Sequence, residues 1–181
     1  MEQFDFFGQQ LFEEAKYYLE NAKLESENAA KAEAFMHASL LLGMSALEAY
    51  VNSISEELCK SFNLSIYERS LLSEKQIKIN NGSLDLSSSL KMIRLIDRIE
   101  FIYCKYSHKA ITNEDEWDRS IKQTIDLRNN LVHPKTKIQI SYTQVETALN
   151  SILNTVNKLF NAVYKQNVPI FNYGLQSIYL E

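Results

Sequence analysis

The sequence is poor in the residues that interrupt regular structure. Its 181 residues include four glycines and two prolines, too few for an all-β domain full of turns, and this scarcity favours long helices with short connections. Two cysteines, Cys59 and Cys104, lie far apart with no CxxC pair or Cys/His cluster of zinc spacing around them. A disulfide framework and a structural metal site are therefore not indicated, no cofactor is implied, and both cysteines read as reduced thiols. The start, Met1 to Asp5, lacks the basic and apolar stretches of a secretory leader, and no uninterrupted apolar run is long enough to span a bilayer. The expectation is a cytoplasmic chain with no membrane partner. A basic surplus is also missing. The formal net charge is −4, whereas general nucleic-acid binders carry excess Lys and Arg to neutralise phosphates.

What is present fits one globular domain. A composition of 45% hydrophobic and 23% charged residues can bury a sizeable core unaided. The charge is unevenly spread: residues 1–60 hold 11 acidic and 4 basic side chains, and residues 61–181 hold 12 and 15. Between Arg119 and Lys137, five basic residues (Arg119, Lys122, Arg128, Lys135, Lys137) stand against the single acid Asp126. An anion site can thus exist on an acidic protein.

Apolar spacing predicts an all-α bundle of about five main helices. Phe4, Phe7, Leu11, Ala15, Tyr18 and Ala22 mark a first helix to about Leu24, and Leu40, Met44, Leu47, Val51, Ile54 and Leu58 a second, ending near Phe62 and Asn63. The stretch 64–87 is less regular. It offers a short helix from Ile66 to Leu72 and a small hairpin where Asn81-Gly82 separates Ile77/Ile79 from Leu84/Leu86. Ser87 to Ser89 are N-cap candidates for a third long helix to about Tyr106, with Ile93, Ile96, Ile99 and Tyr103 inward. A fourth runs from the acids Glu114 to Glu116 to Val132 and stops before His133, because Pro134 disfavours a helical residue ahead of it. A last helix covers about Thr143 to Lys165. The helical domain is thus 1–165. The tail, 166–181, holds Phe171, Tyr173 and Tyr179, and is expected to fold over the bundle or a partner.

Arg128 is the residue that needs explaining. Its neighbours Trp117, Ile121, Ile125, Leu131 and Val132 form an apolar stripe with Arg128 in the middle of it. A buried guanidinium costs several kcal/mol unless it meets a carboxylate, carbonyls or a cleft open to an anion. Pairing with an acid such as Glu48 and holding an anion are the two alternatives. His133, just beyond the helix end, can turn back toward Arg128. Such a pair suits phosphodiester chemistry, with the Arg holding phosphate and the His moving a proton. On the second helix, Ser45, Glu48 and Asn52 form one polar edge.

Arg128-Asn129-Asn130-Leu131-Val132-His133 resembles the Arg, four to six residues, His motif of the HEPN superfamily. Met44 to Asn52 is similar to that superfamily's second helix, where a polar residue faces the site. The resemblance spans roughly Phe4 to Lys165, with the 64–87 segment and the tail outside it. It implies a metal-independent RNA endonuclease, commonly a toxin or anti-phage effector, whose site assembles across a homodimer. Carried onto this chain, it makes Arg128 and His133 the catalytic pair, Asn129 a phosphate contact or support, and Glu48 and Asn52 supporting residues on the facing helix; Lys135 and Lys137 would hold RNA. Some toxin members carry Tyr two residues after the His, where this chain has Lys135, so regulation through that Tyr is not expected. The main rival is a silent HEPN-like module that dimerises or binds a partner such as a nucleotidyltransferase or antitoxin. A small-ligand-binding bundle is a third reading.

Overall fold

A computed structural model describes residues 4–180 apart from 26, 62 and 137, and the side chains of 7–179 apart from the same three. The chain is a mostly helical bundle. Its helices are α1 (Phe4–Leu24), α2 (Ala29–Cys59), α3 (Ile66–Ser73), α4 (Leu95–Ser107), α5 (Glu116–Val132) and α6 (Tyr142–Tyr164), with one hairpin, β1 (Lys75–Asn80) and β2 (Ser83–Leu90), between α3 and α4.

Helices α1, α2 and α6 build the core. On α2, Leu40, Met44, Leu47, Val51, Ile54 and Leu58 are all buried, as their spacing requires, and Val145, Leu149, Ile152, Val156 and Leu159 of α6 face them. Gly43 lets the two helices close on each other, since a Cβ there would collide with the Leu149 side chain. By length and mean hydropathy α2 alone among the described helices reaches the range of a membrane span. Its apolar residues are nonetheless largely used in this core. On α1 the buried face is Phe12, Ala15, Leu19 and Ala22, so the stripe expected through Phe7 is displaced, and Phe7 is exposed. Phe4 lies outside the described side chains.

The helix ends follow local chemistry. Ser65 and Glu68 form a reciprocal capping box at the start of α3, and Ser141 and Gln144 form one at α6. Helix α2 stops at Cys59, earlier than expected. Asn81 and Gly82 take positive φ values of 49° and 81°, as a two-residue type I′ turn requires. The hairpin continues further than Leu86. Ser87 to Ser89 belong to β2, and Leu90 stands opposite Lys75, so they do not cap a helix. Helix α4 starts only at Leu95, after Arg94.

The tail folds back over the bundle along α1. Val168, Ile170 and Ser177 are buried. Buried Lys16, ion-paired with Glu13, donates to the carbonyl of Gln176 at 3.0 Å. The backbone amides of Ser177 and Ile178 donate to Glu20 and Glu13 at 3.0 and 3.2 Å. The buried Lys16–Glu13 pair thus offsets its own burial and satisfies part of the tail's backbone, whereas Glu20 uses one oxygen on the tail and leaves Oε2 buried without a hydrogen-bond partner.

Candidate functional site

Helix α5 packs against α6 and α2 through its first half, where Asp118, Ile121 and Thr124 are buried. Its last turn runs out toward solvent. Trp117, Ile125 and Leu131 are only half-buried, and Val132 is exposed, so the stripe expected around Arg128 is shallower than its spacing suggests. Arg128 is not sealed in the core. Its guanidinium Nη2 meets Glu48 Oε1 of α2 at 3.1 Å, with side-chain exposures of 25% and 48%. Of the two sequence-level alternatives, the Glu48 pair is the one seen. Its openness leaves the guanidinium within reach of solvent and solutes.

His133 caps α5. Its backbone amide donates to the carbonyl of Asn129 at 2.9 Å, and its φ of −123° and ψ of 61° take the chain out of the helix, as Pro134 demands. The imidazole is exposed, with no hydrogen-bond partner among the described residues. Asn129 is half-buried and Lys135 exposed. Lys137 lies outside the described residues. The basic run splits in two: Lys122 is neutralised by Asp118 and Glu100, each at 2.7 Å, which leaves Arg128 and Lys135 at the far end of the helix.

On α2, Ser45, Glu48 and Asn52 share an open groove of about 570 Å³ with Phe7 and Leu11 of α1 and with Ala49, Ser53 and Glu56. Ser45 donates to its own helix at the carbonyl of Leu41. Asn52 faces a different partner from Arg128. Its Oδ1 accepts from Arg98 Nη2 of α4 at 2.8 Å, and the same nitrogen donates to Ser55 Oγ at 3.1 Å. Arg98 Nη1 pairs with Glu74 at 3.0 Å. Arg98 is only 4% exposed; burial pulls its pKa down, and the Glu74 carboxylate opposes that shift. Arg98 thus ties the polar edge of α2 to the base of the hairpin.

Sequence reasoning missed Arg98, although it stands between Leu95 and Ile102 on the inner stripe of α4. A guanidinium on an apolar stripe needs partners here as it does at Arg128, and Arg98 is the more deeply buried of the two. Among the described residues no three His, Cys, Asp or Glu side chains converge as metal ligands would. Comparison of the chain with family models, curated proteins and solved structures finds no match. The HEPN resemblance therefore rests on the Arg128 to His133 segment and the facing residues of α2.

Proposed function

We propose that this chain is a metal-independent endoribonuclease of the HEPN type, working in the cytoplasm as a homodimer and serving as a toxin or anti-phage effector. The observation that carries the reading is the Arg128–Glu48 pair. A guanidinium held at 3.1 Å by one half-exposed carboxylate can exchange that partner for a phosphate, and an exposed His133 follows on the same helix end. Arg128 would stabilise the charge that develops on the phosphate. His133 would take the proton of the ribose 2′-hydroxyl. The 2′-oxygen then bonds to phosphorus as the bond to the 5′-oxygen breaks, and an imidazolium returns a proton to the departing oxygen. The products are a 2′,3′-cyclic phosphate and a 5′-hydroxyl. DNA lacks the attacking hydroxyl and should survive.

One observation favours a silent partner-binding module instead: nothing among the described residues orients the His133 imidazole. In the ribonuclease reading, the orienting contacts come with RNA or with a second copy across a shared cleft.

The test is to incubate wild-type and His133→Ala protein with total RNA in chelator and map the fragment ends. The expected result is cleavage by the wild type alone, with cyclic-phosphate ends. Cleavage that returns only with a divalent ion, or equal cleavage of DNA, contradicts the mechanism. Absence of cleavage with retained capture of an antitoxin or nucleotidyltransferase supports the silent module.

A further inference from the structure

We infer that the open groove between α5 and the start of α6 is a base-reading site selective for guanine. The groove holds about 400 Å³, which is room for one nucleobase and its sugar. Leu127 and Ala148 give it an apolar floor, and Gln123, Asp126, Asn130 and Thr147 stand around it. The described residues that line it include no lysine or arginine, so it is not built to hold phosphate. On α5, Gln123 precedes Asp126 by three residues and Asn130 follows it by four, which puts all three on one face of the helix. Their side chains and that of Thr147 have no hydrogen-bond or ion-pair partner among the described residues. The polar groups of the groove are therefore available to a ligand.

The chemistry of those groups selects the ligand. A carboxylate only accepts hydrogen bonds, and it takes two parallel donors best. Guanine offers N1–H and its 2-amino group side by side on the pairing edge. Adenine and cytosine set a lone pair beside their amino group there, and uracil flanks its one N–H with two carbonyl oxygens, so each turns an acceptor toward Asp126. An arginine side chain also presents paired donors but accepts nothing, which leaves the amide N–H groups of Gln123 and Asn130 unanswered. Guanine flanks its two donors with the acceptors O6 and N3, as Gln123 and Asn130 flank Asp126 along the helix. Its flat ring suits the Leu127 and Ala148 floor. The same base can arrive in an RNA strand or in a free nucleotide. That it arrives in the RNA held at Arg128 rests on the ribonuclease reading. Asp126 and Asn130 each lie two residues from Arg128, on another face of a helix about 10 Å across, and the last turn of α5 is open to solvent. A strand crossing that end can set a phosphate at Arg128 and a neighbouring base in the groove. Guanine binding itself does not depend on that reading.

The test is fluorescence anisotropy with short labelled RNAs, all-U or carrying a single G, A or C. His133→Ala protein is used to keep the RNA intact, with and without Asp126→Asn, and helical content is checked by circular dichroism. The G-containing RNA should bind about tenfold or more tighter than the other three, and Asp126→Asn should erase that difference. Asp126 is exposed, so the substitution leaves the fold in place. Guanosine 5′-monophosphate is titrated against the same proteins by calorimetry. Asp126-dependent binding of this nucleotide, with all four RNAs bound alike, puts a free nucleotide in the groove; preference for the G-containing RNA puts RNA there. Four RNAs bound alike with no nucleotide binding, or a guanine preference unchanged by Asp126→Asn, overturns the site. Wild-type cleavage of RNA without any guanine preference leaves the ribonuclease reading standing and removes this site, whereas guanine binding by a protein that never cleaves RNA does the reverse.

Discussion

Two arginines meet the same edge of α2 and are held in opposite ways. Arg98 is buried, with Asn52, Ser55 and Glu74 around its guanidinium. Arg128, one helical turn away along α2 at Glu48, has a single carboxylate partner and a face open to solvent. A charge that is buried and multiply bonded loses heavily if it moves, so Arg98 serves to lock α2, α4 and the hairpin base together. A charge that is half-exposed and singly paired loses little on changing partners. That difference is why the candidate chemistry is assigned to Arg128, although Arg98 is the more deeply buried of the two.

The comparison breaks most visibly at Arg98. Arg98→Ala removes the buried guanidinium from Ser55 and from Asn52 and Glu74, which solvent can reach, and should cost about 1.5–3 kcal/mol by denaturant unfolding; a loss below about 1 kcal/mol would remove the contrast. Glu48→Gln sharpens the other side. It should shift stability by less than about 1 kcal/mol and lower cleavage while leaving measurable activity, whereas unfolding comparable to Arg98→Ala would make Glu48 a structural residue. Lys135→Ala is expected to leave stability unchanged, weaken RNA binding, and reduce its salt-dependence slope by about one; an unaltered slope takes Lys135 out of the RNA path.

The smallest effect is a pH dependence away from both arginines. The bond from Lys105 and the capping contacts at Ser65 hold the Glu68 carboxyl down at about 2, below its usual value of about 4.3. A carboxylate depressed on folding stabilises above the unfolded pKa, and that contribution is lost as pH falls through the folded one. Wild-type protein should therefore exceed Glu68→Gln in stability at pH 6, with the gap closing between about pH 4.5 and 2. A gap that is constant across that range would contradict the assignment.

The legible parts of the fold were those written in local periodicity or turn chemistry. The α2 and α6 stripes and the Asn81-Gly82 turn were readable because every residue involved answers to its immediate neighbours. Ser87 to Ser89 were misread as caps, since serine suits both a helix start and a strand, and only pairing of β2 with β1 decides between them. Phe7 fell off the buried face because α1 is rotated by its contacts with α2 and α6, which spacing along α1 cannot express. The Arg128–Glu48 pair was legible as one of two alternatives. Arg98 and the Lys16–Glu13 pair beneath the tail were not found: their partners lie 24 or more residues away or on the tail backbone, and a buried charge is recognisable only once its cover is known.

The central claim is that Arg128 is held loosely enough to serve an anion. Its most direct test is Arg128→Ala, with RNA cleavage and thermal unfolding measured on the same preparation. The account predicts that cleavage falls by about a hundredfold or more while stability changes by less than about 1 kcal/mol and the dimer persists. Undiminished cleavage, or a loss of stability on the scale expected for Arg98→Ala, would contradict it.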